Sequence, residues 1–522
     1  MNARLKRFLL LLLAGGLLFG SGQFQKFLNH DRMTLGLTPA SAALENAPPM
    51  LAFTTVALGG FRGLISNFLW MRANDLQQDD KFFEAVQLAS WITQLEPTFP
   101  AVWIFQGWNM SYNISVKFKD FPDRWRWVER GIELMRDDGL RYNPDSVDLY
   151  REVAWQFQHK MGANLDDANM YYKMQWATEM KNFFGPKGTN FDQLLNPPDT
   201  SARTNATLFR EKFKMDAAFA QRVNAQYGPF DWRLPEAHAI YWGARGLAAA
   251  KENPDKVKTD DLIKLRRIIY QSMLQAFHHG RININPFSKT YSLGPNLDLT
   301  PQVNAAYEQL YADETDSGQK DGILRAQRNF LRDAVYFLYE NNRLAEATHW
   351  FKYLGDKFPD KPIIENQPDS LPKNLTLDQY AVAMVQIDIG ETSQERVTAA
   401  MQGLLTRAYY DLAVGQDDRY ENLKRLATKV YARYATKTAV SRSSERIPLP
   451  SFDTLNKTVL QQLLDSKTGA PYAARAVLVT KLGLPASLLE TSSTATNALE
   501  KTSIHSVSTN TTPTSAVPPP RP

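Results

Sequence analysis

From about Leu64 onward, apolar residues recur at helical spacing, and strand-like alternation rich in Val, Ile and Thr is scarce. The run TDDLIKLRRIIYQSMLQAFHHG shows the pattern. It opens with Thr259 as N-cap and two aspartates in the first turn. Leu262, Leu265, Ile269, Met273 and Ala276 then fall on one stripe, and Gly280 takes the C′ position. The run TSQERVTAAMQGLLTRAYYDLAV begins in the same way, with Thr392 three residues ahead of Glu395 as a capping box. Asn-Gly is absent, and Asp138-Gly139 and Asp321-Gly322 lack alternating flanks, so no β-hairpin is expected. Gly185–Thr204 and Arg281–Thr300 read as long irregular connections. The expected fold class is therefore all-α.

Two apolar stretches near the N-terminus depart from the amphipathic pattern. Arg4, Lys6 and Arg7 precede the run Phe8–Phe19. That run is short of the roughly 20 residues a bilayer span needs, but Gly20–Gly22 and snorkelling of Lys6 and Arg7 bring it near the lower limit. We read it as an uncleaved signal anchor, because the nearest A-x-A triplet, Ala40-Ser41-Ala42, lies too far downstream for cleavage. The alternative is an exported and cleaved chain. In both cases the basic side stays in the cytoplasm and the bulk is extracytoplasmic. The second stretch, Met50–Trp70, is long enough to span. Arg62 near its middle would cost about 2.5–3.5 kcal/mol, and Gly59, Gly60 and Gly63 lower its helical propensity. It is expected to be a buried or membrane-adjacent helix.

Length and composition narrow the function classes. A chain of 522 residues exceeds one ordinary core and calls for several domains or a repeat array. Cysteine is absent, which removes disulfides, thiolate catalysis and thiolate metal sites. The net charge of +5 is small for this length, and Lys and Arg are scattered, so no nucleic-acid partner is expected. From Thr491 to Pro522 the chain is rich in Ser, Thr and Pro and is expected to be disordered.

Successive helices invite a search for period. Ala85 and Ala89 stand four apart, Pro97 follows, and Trp103, Gly107 and Met110 take the slots of a next helix. Pro144 is followed by Tyr150, Val153, Ala154 and Phe157. A third unit carries Leu331, Ala334, Leu338, Ala347, Phe351 and Pro359, with Asn341-Asn342 as its turn. In this spacing the chain resembles the tetratricopeptide-repeat class of helical proteins, over roughly Asn67–Lys160 and Arg328–Pro359. Arg72 and Gln106 stand where leucine is usual, and Lys117–Asp123 interrupts one unit. The stretches LGGFRGLISNFLWMRA, PTFPAVWIFQGWNMSYNIS and DWRLPEAHAIYW are also similar to bacterial membrane-anchored repeat proteins. The resemblance implies a solenoid of helical hairpins that binds proteins or peptides, and it implies no known activity.

Candidate chemistry is sparse. Asp231 and Arg233 precede a helix starting at Pro235 that carries Glu236 and His238 in its first turn. Residues two apart on a helix do not face each other, and HExxH is absent. The expected role is an acidic N-terminal turn with a buried or half-buried histidine. His278-His279 sits at a helix C-terminus, which favours a cation. Asp313–Gly322 fails the calcium-loop spacing, with Leu324 in the twelfth place. No metal site and no cofactor are expected. The aromatic cluster Trp103, Trp108 and Tyr112 is expected mainly to pack between hairpins. However, Trp103 and Trp108 are five apart, about 140° around a helix, so both cannot face one way.

These readings give a signal anchor or transmembrane helix at 1–23, a linker at 24–47 and a tetratricopeptide-like helical domain at 48–184. An irregular helical middle region at 185–322, a second tetratricopeptide-like domain at 323–488 and a disordered tail at 489–522 follow. The expected function is a single-pass, inner-membrane-anchored periplasmic scaffold that binds partner proteins or peptides without catalysis. Its anchor contacts the bilayer, and its oligomeric state is left open. The alternative is a glycan- or peptide-acting module built on the Asp231–His238 region and the tryptophans. The candidate binding residues are Trp103, Trp108, Tyr112, Asp231, Arg233, Glu236 and His238.

Overall fold

The amphipathic segments are helices in the computed structural model, which describes residues 61–284, 291–364, 367–389, 394–440 and 450–492 and isolated positions between 13 and 31. The described residues group into two compact units. One takes the chain up to Gln156 together with Gly246–Asp261; the other takes Phe157–Arg245 and the chain from Leu262 onward. Most of the run Phe8–Phe19, the capping residue Thr392 and the tail from Ser493 lie outside the described residues. Among the described residues, no helix is long and apolar enough to cross a membrane.

In the first unit, α1 (Phe61–Gln78) and α2 (Phe82–Leu95) form an antiparallel hairpin. Ala73 and Leu76 of α1 and Phe82, Ala85, Ala89 and Ile92 of α2 are buried. Alanines at the contact let the backbones approach, as the spacing of Ala85 and Ala89 predicts. Helix α3 (Pro100–Trp108) starts on a proline in its first turn and runs into a π segment, Asn109–Ile114. Helix α4 (Phe121–Glu133) continues into another, Leu134–Gly139, and α5 (Val147–Trp155) is capped by Ser146. Glycines set the α3–α4 crossing. A Cβ on Gly131 would clash with Ser111 Oγ and stand 2.7 Å from the carbonyl oxygen of Gly107.

In the second unit, the helices are α6 (Asn169–Phe184), α7 (Thr200–Phe213), α8 (Ala217–Tyr227), the N-terminal part of α9 (Pro235–Glu252) and most of α10 (Thr259–His279). They continue with α11 (Thr300–Asp313), α12 (Ser317–Glu340), α13 (Leu344–Lys357), α14 (Leu377–Ile389), α15 (Gln394–Ala413), α16 (Asp417–Val440), α17 (Phe452–Leu464) and α18 (Tyr472–Lys481). The expected stripe on α10 is buried at Leu265, Ile269, Met273 and Ala276, while Leu262 at its start is half-buried. Thr259 is the first helical residue rather than the cap.

Among the described residues, one helix-ending turn recurs at Asp80, Asn342, Gly415 and Gly483, and the first three of these join helical hairpins. Asp80, Asn342 and Gly415 are left-handed, with φ of 60°, 58° and 83°. At each, the left-handed residue donates its N–H to the carbonyl three back: Asp80 to Gln77, Asn342 to Tyr339 and Gly415 to Leu412, at 3.1–3.2 Å. The following residue donates to the carbonyl five back: Lys81 to Leu76, Arg343 to Leu338 and Gln416 to Asp411, each at 2.8 Å. This double closure satisfies the orphan carbonyls of a helix end. In all three the next helix starts immediately afterwards, at Phe82, Leu344 and Asp417. The helices so joined pack on each other in α1–α2, α12–α13 and α15–α16.

Two connections are more ordered than the sequence suggests. Arg281–Thr300 contains strands β1 (Arg281–Ile284) and β2 (Tyr291–Gly294), paired antiparallel from Arg281↔Gly294 to Ile284↔Tyr291, and a 3-10 turn at Leu297–Leu299. The alternation is only four residues long on each side, too short to register as a strand pattern. Within Gly185–Thr204, Asp192–Leu195 forms one helical turn. Asp199 caps α7 by accepting the N–H of Ala202 at 2.8 Å.

Candidate functional site

The segment Phe230–Trp242 runs through the core of the second unit. Asp231, Arg233, Glu236 and His238 are 8, 7, 2 and 0 % exposed. Local geometry explains the entry to α9. Asn224, in the last turn of α8, accepts from the Phe230 N–H at 2.9 Å and the Trp232 indole N–H at 3.0 Å through one oxygen. Asn296 donates to the Pro229 carbonyl at 2.8 Å.

Asp231 and Arg233 are spent on each other. The guanidinium donates from Nε to Asp231 Oδ1 at 2.8 Å and from Nη2 to Oδ2 at 2.5 Å, a two-point pair. Its remaining arm donates to the Pro186 carbonyl. Gly188 (φ 71°) lies so close that a Cβ there would run into the Asp231 carboxylate. Its carbonyl accepts the Trp232 N–H at 2.8 Å. The pair therefore fastens the loop after α6 to the start of α9.

His238 sits among aromatic rings. Trp176 packs edge-on at 4.9 Å, Phe157 stacks at 5.4 Å and Trp232 is edge-on at 5.9 Å. Nε2 donates to the Trp232 carbonyl at 2.9 Å, which fixes the proton on that nitrogen. The ring is a packed core member, as the sequence suggests for a histidine in this turn.

Glu236 differs from its neighbours. Burial raises its carboxyl to about 7, against the opposing pull of the Lys173 ammonium. Oε2 makes no hydrogen bond among the described residues, and neither does Gln275 Oε1. The two groups converge on Gly162: a Cβ there would stand 3.4 Å from Gln275 Oε1 and 3.6 Å from Glu236 Oε1. Lys173 donates to Asn164 Oδ1 and Asn169 Oδ1, both at 3.0 Å, and burial holds its ammonium below the usual lysine range. Beside it, Lys160 pairs with Asp166 at 2.5 Å, with both side chains buried, and Tyr172 donates to the same carboxylate at 3.3 Å. Desolvation also lowers His279, helped by the neighbouring His278 and Lys173. Burial thus shifts Glu236 and Lys173, which influence each other electrostatically, toward their neutral forms, as acid–base work requires of a carboxyl–amine couple.

Lys173, Lys160 and Gln275 were missed by reasoning from the sequence. The signal for Lys173 is its place on the apolar stripe of α6, in register with Trp176, Ala177 and Met180. A lysine in that register must be buried or break the stripe.

The aromatic candidates lie in the first unit and divide. Trp103 is buried, donates its indole N–H to the Pro97 carbonyl at 2.8 Å and stacks on Tyr142 at 5.9 Å. Asn143 donates to the same Pro97 carbonyl at 2.8 Å. Trp108 is 37 % exposed and stacks on the half-buried Tyr112 at 5.4 Å with the rings 22° apart. No group of metal-ligating side chains occurs among the described residues. No family model, no curated protein and no solved structure matches the chain.

Proposed function

We propose that the chain is a membrane-anchored scaffold whose helical hairpins stack as a tetratricopeptide-like solenoid and hold a partner protein or peptide without catalysis. The observation that carries this reading is the recurrence of one hairpin turn, bond for bond, at Asp80, Asn342 and Gly415. At these three places the next helix begins two residues after the left-handed residue, and hairpins joined in this way stack, in a solenoid, into surfaces built for extended partners. The stacked rings of Trp108 and Tyr112 supply an amphipathic platform on the first unit, suited to a peptide side chain or backbone. The anchor rests on the basic and apolar N-terminal run, which also places the bulk of the chain on the extracytoplasmic side. The test is a photo-crosslinking amino acid at position 108 in native membranes, with position 165 as an exposed control. A discrete adduct from 108 and none from 165 supports the scaffold. Equal, diffuse crosslinking from both removes its binding platform.

An alternative reading is favoured by one observation, the neutral-range carboxyl of Glu236 beside buried Lys173. In that reading the couple is an acid–base centre acting on a glycan or peptide. Glu236→Gln would then abolish a hydrolytic activity while leaving partner capture through Trp108 unchanged.

A further inference from the structure

Helix α1 has two faces of different fate. Ser66, Ala73 and Leu76 are buried, Ala73 and Leu76 in the hairpin with α2. Leu64, Ile65, Phe68 and Met71 stand at helical spacing on the other face and are 66, 38, 66 and 60 % exposed. Four large apolar side chains in one stripe form a patch, unlike the single exposed hydrophobes that any surface carries. At the C-terminal end of the stripe, Trp70 packs against Phe105 at 4.9 Å and against Phe99 at 6.4 Å, and Phe99 is itself half exposed.

Charge indicates what covers this face. Between Glu45 and Asp75 the chain contains no carboxylate, and its charged residues are Arg62 and Arg72. Apolar residues, interfacial aromatics and arginines without acids are the composition of a helix lying on an anionic lipid surface. A protein partner of ordinary composition gives no reason for the acids to be absent. A bilayer span is also disfavoured, because one side of α1 is already committed to α2.

We propose that the exposed face of α1 lies in the membrane interface and contacts anionic lipid through Leu64, Ile65, Phe68 and Met71, with Arg72 at its edge. This rests on the membrane-anchored reading and adds a separate, surface contact. The anchor tethers the chain, and α1 would set the orientation of the first hairpin against the bilayer. An apolar helix face in this mode sits about 5–10 Å into the headgroup–acyl boundary.

The absence of cysteine makes the test direct. Full-length Phe68→Cys and Met71→Cys, with Leu165→Cys as control, are labelled with a bimane fluorophore. Each is reconstituted in vesicles of equal parts phosphatidylcholine and phosphatidylglycerol whose acyl chains are brominated near the headgroup or near the terminus. The expected result is that bimane at 68 and 71 is quenched about three-fold by the shallow bromines, little by the deep ones, and not at 165. Stronger quenching by the deep bromines would make α1 part of a span and overturn the proposal. Absence of quenching at 68 and 71 while the chain floats with the vesicles would also overturn it and leave the anchor intact. In that case, slow reaction of the cysteines with a water-soluble maleimide would assign the face to a protein, including another copy of this chain. A chain that does not float at all overturns both the proposal and the anchored reading.

Discussion

In sequence, the aromatic cluster of the first unit and the charged segment of the second have equal claims to function, yet they resolve in opposite ways. Trp103 and Trp108 separate across one helix, the first into the core on the Pro97 carbonyl and the other toward solvent on Tyr112. Asp231, Arg233, Glu236 and His238 all go inward, and most of their polarity is consumed by near neighbours. Density of interesting residues is therefore a poor guide to a binding face. What distinguishes the regions is whether each polar or aromatic group is already satisfied by the fold.

The largest effects should come from the groups placed inside. Asp231→Ala leaves the Arg233 guanidinium buried without its carboxylate, and should cost about 3–5 kcal/mol. Denaturant unfolding of the variant measures this, and Asp231→Ala combined with Arg233→Met should recover most of the loss. Trp103→Ala should cost a similar ~3–5 kcal/mol through its cavity and the lost bond to Pro97. A loss below about 1 kcal/mol at either site would dissolve the distinction between inward and outward groups.

Glu236 gives a pH-dependent version of the same comparison. Its folded carboxyl keeps a proton up to about 7, whereas the unfolded one releases it near the ordinary glutamate value of 4.5. Between these values the folded state binds more protons, so stability declines as pH rises through this window and the loss is complete above it. Glu236→Gln removes that loss. The variant should match the parent near pH 4 and exceed it at pH 8 by roughly 3 kcal/mol, from about 1.4 kcal/mol per pK unit. Glu152, raised by burial in the first unit, adds a slope of the same sign that this substitution leaves in place. Unfolding free energies of both proteins across pH 4–8 decide the matter, and parallel curves would remove Glu236 from the buried, neutral-range class.

The hairpin turns offer a smaller and cleaner test. Gly415 has φ of 83°, and no atom lies within 4 Å of the place a Cβ would take, so Gly415→Ala should cost about 1 kcal/mol from backbone strain alone. Asn342→Gly should gain a few tenths of a kcal/mol up to about 1, because only the left-handed conformation penalises asparagine there. Thermal unfolding of the two variants should therefore shift in opposite directions.

Helical periodicity made much of this legible. The α10 stripe, the α12–α13 hairpin with its Asn341-Asn342 turn and the split of Trp103 from Trp108 all follow from 3.6-residue spacing. The chemistry around Glu236 did not. Its raised carboxyl arises from burial, with Gly162 and Gln275 of α10 close by, and is opposed by Lys173 on α6; separations of that length carry no local pattern. The β1–β2 hairpin was hidden for a different reason, since four alternating residues are within the noise of any helical reading. The common turn at Asp80, Asn342 and Gly415 was hidden as well, because three different residue types adopt one conformation.

We propose that partner binding belongs to the exposed rings of the first unit, while the buried charges of the second serve the fold. The decisive comparison is copurification of partners from native membranes with a Trp108→Ala, Tyr112→Ala double variant and with Glu236→Gln. The double variant should lose its partners about ten-fold, equivalent to about 1.4 kcal/mol of binding, while Glu236→Gln retains them. Full capture by the double variant, with loss in a folded Glu236→Gln protein, would exclude the rings as the binding platform and move the functional site to the buried couple.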